Sequence, residues 1–99
     1  MSYSFVNRPA VQADIINAVN YYKAVSPQLA RQFLFRIREA KKYINRSPLA
    51  FEVKYKNVRT LLLKQFPFHI HYIIDDSEKQ IVILAIVHAY RDPTDYSIR

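Results

Sequence analysis

The chain has 99 residues, 51% of them apolar and 23% charged, the composition of one folded domain with one core. Glycine and cysteine are both absent. Without Gly there is no phosphate-cradling loop, dinucleotide fingerprint or nucleophile elbow, and without Cys no disulfide, thiolate nucleophile or Cys-ligated zinc.

Tight turns must then fall to Asn, Asp and Pro. Cysteine-free composition fits a reducing compartment, and the expected location is cytoplasmic. Met1 to Phe5 shows no basic segment followed by an apolar stretch, so no signal peptide is expected. The longest apolar run, Ile81 to Val87, is far short of the roughly 20 residues a membrane helix needs, and no membrane association is expected. Net charge is +7; residues 1–50 carry +6 of it and residues 51–99 carry +1. Such a domain attracts nucleic acid, an anionic surface or an acidic protein.

Tyr3 to Val6 reads as a short first strand. Asn7-Arg8-Pro9 reads as a helix start, with Asn7 able to cap and Pro9 suited to the first turn. Val11, Ile15, Ala18, Val19 and Tyr22 recur at helical spacing. Ser26-Pro27 ends this helix and starts the next, with Ser26 as its N-cap. Leu29, Phe33, Ile37, Ala40 and Ile44 form the apolar stripe of the second helix, which stops between Asn45 and Pro48. Its Arg31, Arg36, Arg38, Lys41, Lys42 and Arg46 read as a solvated face.

Strands follow at Val53 to Tyr55, Val58 to Gln65 and Phe68 to Ile74. The third of these puts Phe68, Ile70, Tyr72 and Ile74 on one face and His69, His71 and Ile73 on the other. Asp75 to Lys79 is a polar hairpin loop. Gln80 to Val87 is apolar on both faces and so belongs inside the sheet. Residues 93–99 form a tail or helical turn. The fold class is α+β: one domain over residues 1–99, with an N-terminal strand and a helical hairpin on one face of a mostly antiparallel sheet of three to five strands. The other face is left partly open to a partner or substrate.

Three groups of residues could carry chemistry. His88, Tyr90 and Arg91 sit just past a buried strand, where Arg can clamp a phosphate, His can move a proton and Tyr can stack or donate. The plainer alternative is that His88 caps the strand and Arg91 pairs with Asp92 or Asp95. Lys54, Lys56 and Arg59, interleaved with Tyr55, fit a nucleic-acid contact ribbon or an edge strand guarded by lysines. His69 and His71 share a strand face but match no zinc spacing, and neither a metal nor another cofactor is expected.

In order, the helical hairpin, Val58-Arg59, Phe66-Pro67-Phe68-His69-Ile70-His71-Tyr72, Ile81 to Ile86 and the closing His88-Ala89-Tyr90-Arg91-Asp92-Pro93 resemble the RelE/ParE toxin superfamily over nearly the whole chain. Tyr96 stands where many relatives have Trp. The resemblance implies the toxin of a type II toxin–antitoxin system, held inactive by an antitoxin with an acidic toxin-binding segment. RelE-like members are ribosome-dependent mRNA endonucleases. Under that resemblance the catalytic candidates are Arg59, His88 and Arg91, and the nucleic-acid-binding candidates are Lys54, Lys56 and Tyr90. ParE-like members inhibit DNA gyrase without hydrolytic residues, and the closing His-x-x-Arg-Asp-Pro is similar to that branch. The cation cluster and His88 favour the endonuclease, with gyrase inhibition as the alternative.

Overall fold

In the computed structural model, which describes residues 3–90 and 94–99, five strands form one sheet in the order β1-β5-β4-β3-β2. The elements are β1 (Ser4–Asn7), α1 (Pro9–Val25), α2 (Pro27–Arg46), β2 (Val53–Tyr55), β3 (Val58–Leu62), β4 (Phe68–Asp75) and β5 (Gln80–His88), followed by a 3₁₀ turn at Tyr96–Ile98. Strands β2 to β5 are antiparallel neighbours, while β1 pairs with β5 in parallel. The expected α+β architecture, a helical hairpin on one face of a mostly antiparallel sheet, is what the chain adopts.

The apolar stripes explain the packing. Val11 and Ala18 of α1 join Phe33, Ile37, Ala40 and Ile44 of α2 in one buried cluster with Ile70, Tyr72, Ile81, Ile83 and Ile86. Fully burying side chains of this size stabilises the fold by roughly 1.5–3 kcal/mol each. Tyr22, Phe33, Phe66 and Phe68 form an aromatic knot, with ring centroids 4.8–6.1 Å apart. The Phe66-Pro67-Phe68 segment therefore clamps the start of β4 onto both helices.

β5 explains its own unbroken apolar run. Its ladder to β4 slips between Ala85, opposite His71, and Ile83, opposite Tyr72, leaving Leu84 as the extra residue of a β-bulge. Leu84 and Ala85 consequently both face away from the helices. The inward positions change from Ile81 and Ile83 to Ile86. Alternation is lost because the strand changes parity midway.

Two local expectations are corrected. Asn7 does not cap α1. It stays in β1 opposite Ile83, so Arg8 occupies the cap position without a side-chain cap bond, and its N–H donates to the Ile83 carbonyl at 2.9 Å. Among the described residues, the left-handed turn positions fall not to Asn or Asp but to Lys56 (φ 48°), Gln65 (φ 73°) and Lys79 (φ 53°). Asp75 serves its turn through its carboxylate, which accepts from Ser77 Oγ and the Glu78 N–H. Ser26 does cap α2, accepting from the Gln28 N–H at 3.2 Å.

Beyond Ile83, β1 has left the sheet and one edge of β5 is exposed. Side chains satisfy it. Asp14 of α1 accepts the Ile86 N–H at 3.0 Å, and Arg99 donates to the Leu84 carbonyl at 3.1 Å. The two side chains also pair with each other through two contacts, of 2.6 and 3.3 Å. Both are largely shielded, Arg99 at 23% and Asp14 at 11% exposure, so the pair ranks above an ordinary surface bridge. Asp14→Ala leaves a shielded guanidinium and an orphaned strand N–H. It should lower stability by about 2–4 kcal/mol in urea denaturation; a loss below about 0.5 kcal/mol would show that the bridge does not hold the edge.

Candidate functional site

The sheet face turned away from the helices carries a second, smaller apolar cluster of Val58, Val82, Leu84, Ala85, Val87 and Tyr96. The C-terminal turn lies across it and leaves a cleft of about 510 Å³. Its lining includes Lys54, Tyr55, Lys56, Thr60, His69, His71 and His88. Strand parity puts the residues there. Thr60 and His71 stand opposite each other on β3 and β4, and His69 lies opposite Val87 on β5.

At the centre is a bonded chain. The Tyr96 N–H donates to Tyr55 Oη at 3.2 Å, so the Tyr55 hydroxyl proton is free to go to His71 Nδ1, 3.1 Å away. Burial raises the Tyr55 pKa, which keeps that donor protonated. The Tyr96 ring packs edge-on against His71 at 4.9 Å, and the Arg99 guanidinium lies over the Tyr96 ring, 4.8 Å from its centroid. Burial, then the nearby His69 and Arg99 charges, push the His71 pKa down from 6.5 to about 4, against a smaller opposing effect of Asp14. Burial and then Lys54 lower that of His69 as well.

The sequence-derived candidates separate. Lys54 reaches the cleft but pairs with Glu52 at 3.4 Å. Lys56 also lines it and is held by Asp95 in an ion pair that fastens β2 to the C-terminal turn. That contact pulls the Asp95 carboxyl pKa down to about 2, with the Ser97 hydrogen bonds adding to the effect. His88 stands at the cleft's end, where Nδ1 accepts the Tyr90 N–H at 3.2 Å and the ring packs 5.4 Å from Phe68. It thus caps its strand as well as lining the cleft. Tyr90 is 83% exposed beside it, its ring 5.5 Å from His88. Arg91 lies outside the described residues.

Arg59 does not join this group. It pairs with Tyr72, on the helix-facing side of the sheet, and its guanidinium donates to the carbonyls of Phe51 at 2.7 Å and Leu49 at 3.3 Å. Sequence reasoning passed over Thr60 and Asp95 as parts of a site, and read Tyr55 only as interleaved with the cations of a contact ribbon. Period-2 alternation from His71 does predict the face of His69, but nothing local announces a tyrosine 16 residues upstream as its partner. Among the described residues no group of three His, Asp or Glu side chains is arranged to hold a metal.

A base whose folded pKa lies below its unfolded value takes up its proton first in the unfolded chain. Stability should therefore fall as pH drops from about 6.5 toward 4, the range between the ordinary and the folded values of His71. Urea midpoints at several pH values should show that slope in the parent chain and a shallower one in His71→Phe; equal slopes would remove His71 as the cause.

Comparison with known proteins places this geometry in a family. The sequence model described as "ParE toxin of type II toxin-antitoxin system, parDE" matches residues 6–93. Toxin ParE2 of Mycobacterium tuberculosis is 30% identical over 84 residues, covering 84% of this chain and 78% of that protein. Among solved structures, a chain of the chromosomal ParDE toxin–antitoxin system from P. aeruginosa superposes with a TM-score of 0.75 at 23% identity, covering 88% of this chain and 96% of that one. A chain of the toxin–antitoxin complex RelBE2 from Mycobacterium tuberculosis superposes at 0.58 with 16% identity, covering 89% and 99%. At those identities the two structures establish the shared fold. The sequence match over most of its length, with the Phe-Pro-Phe clamp and the last strand inside it, shows that the chain belongs to the ParE toxin family of type II toxin–antitoxin systems.

Proposed function

We propose that this toxin acts by binding rather than by cutting RNA, with DNA gyrase as its target and a cognate antitoxin as its restraint. The observation that carries this is the division of the cations. A phosphate-cleaving site needs unpaired positive charge converging on the transition state, beside a group able to take a proton. Here Arg59 faces the other side of the sheet, and Lys54 and Lys56 have carboxylate partners. The membership in the ParE family points the same way, since gyrase inhibition is what the resemblance to that branch implies.

The antitoxin would lie along the groove between α1 and the free end of β5. That groove, about 510 Å³ in volume, is lined by Asn17, Tyr21, Pro67, Phe68 and His88 among others. Tyr21 on α1 is a large apolar side chain in this lining left 67% exposed. An acidic segment bringing apolar anchors would cover it and complement the basic charge of the chain.

The cleft's three imidazoles favour a second reading, ribosome-dependent mRNA cleavage, in which His88 and Arg91 would carry the chemistry. Purified components separate the two. The toxin should abolish supercoiling of relaxed plasmid by gyrase near stoichiometric ratio and leave mRNA on translating ribosomes intact. Cut message with unaffected supercoiling would reverse the assignment. Arg59→Ala should lower stability by about 1–3 kcal/mol through the lost carbonyl contacts. The folded fraction of that variant should inhibit gyrase as well as the parent; a folded but inactive Arg59→Ala protein would return Arg59 to the functional site.

A further inference from the structure

The exposed face of α2 carries a charge pattern that none of the toxin's restraint or target contacts described above uses. Arg31, Arg38, Lys42 and Arg46 are all exposed and recur on one face, with the 52%-exposed Phe35 the only large apolar side chain among them. At 1.5 Å per residue this stripe is about 22 Å long. Glu39 is the only carboxylate of α2, and it is paired with Arg36. Among the described residues, none of the four stripe cations has a carboxylate partner. The opposite face of the helix, Ala30, Phe33, Ile37, Ala40 and Ile44, is buried in the core.

We propose that this stripe is a docking surface for the phosphate backbone of duplex DNA. A duplex carries one negative charge per roughly 1.7 Å of axis, so a helix run of this length lies beside about a dozen of them. Charge complementarity alone would also admit an acidic protein or an anionic membrane, but the composition of the face selects among the three. Protein interfaces are depleted of lysine and charge at their centres and need apolar anchors, of which this face has one. An interfacial membrane helix inserts an apolar face, and that of α2 is already occupied by the sheet. Interfaces with DNA are instead polar and strongly positive. Contacts to phosphates alone carry no base information, so the binding is indifferent to sequence. This goes beyond the gyrase assignment and does not depend on it: the toxin would hold DNA itself, whichever enzyme it blocks.

The test uses the full chain and a labelled duplex of about 30 base pairs, with affinity followed between about 50 and 200 mM salt. Four phosphate contacts predict that affinity falls about 150-fold over that range. Arg38→Gln/Lys42→Gln should reduce the fall to about 12-fold, while Lys23→Gln/Lys79→Gln, with the same net charge, should leave it near the parent value. Substitutions at such exposed positions are expected to leave folding intact, checked by equal melting temperatures. Any of three results would overturn the proposal: no duplex binding at the lowest salt, equal losses in the two double variants, or stripe-dependent binding to phosphatidylglycerol vesicles or a poly-glutamate peptide with the duplex unbound. Gyrase is absent from the assay, so neither failure would bear on the other.

Discussion

The pairing of Asp14 with Arg99 holds together parts of the chain that would otherwise be independent. It joins the first turns of α1 to Arg99, 85 positions along the chain, and both partners also bond the backbone of β5 where β1 has left it. An open strand edge is a template for unwanted pairing, and here two side chains close part of it. The same arginine stacks on Tyr96, Tyr96 packs against His71, and Tyr55 bridges the two. The cleft therefore has its shape because an ion pair on the far side of β5 holds the C-terminal turn across the sheet. Lys56 and Asp95 provide the second attachment of that turn.

The two sheet faces have different tasks. The helix-facing side is a conventional core, and the knot of Tyr22, Phe33, Phe66 and Phe68 locks the helical hairpin to the β3–β4 connection. The other side is a shallow layer in which Tyr55 joins the His71 ring to the Tyr96 N–H. His69 and His71 are kept neutral by burial and by neighbouring positive charge, which suits a surface that recognises a partner better than one that exchanges protons. The bulge at Leu84 serves both layers, placing two consecutive residues under the C-terminal turn and returning Ile86 to the core.

How much of this was legible follows from how local each cause is. The helical stripes and the Ser26 cap depend on neighbours within a few residues, and they stand where the spacing puts them. The same holds for the opposite faces of Ile70 and His71, since alternation needs only the strand itself. The bulge is not local in this sense: an apolar residue suits either face of β5, so no pattern marks where parity changes. Arg59 was grouped with Lys54 and Lys56 because they are close in sequence, but the strand-pairing register decides which side of the sheet it faces. The contacts Tyr55–His71, Lys56–Asp95 and Asp14–Arg99 are made only after the sheet has assembled. In a chain without glycine, the left-handed positions at Lys56, Gln65 and Lys79 are filled by long polar side chains, which carry no turn signature of their own.

A toxin that works by occupying a partner places different demands on its residues from one that cleaves, and the separated cations fit the former. Under the proposed inhibition of gyrase, DNA metabolism is the first process to fail when this chain acts without an antitoxin. Pulse-labelling of DNA and protein synthesis in the minutes after inducing the toxin alone measures this directly. Loss of DNA synthesis ahead of protein synthesis is the predicted result, while an earlier collapse of protein synthesis would contradict it and make the ribosome the target.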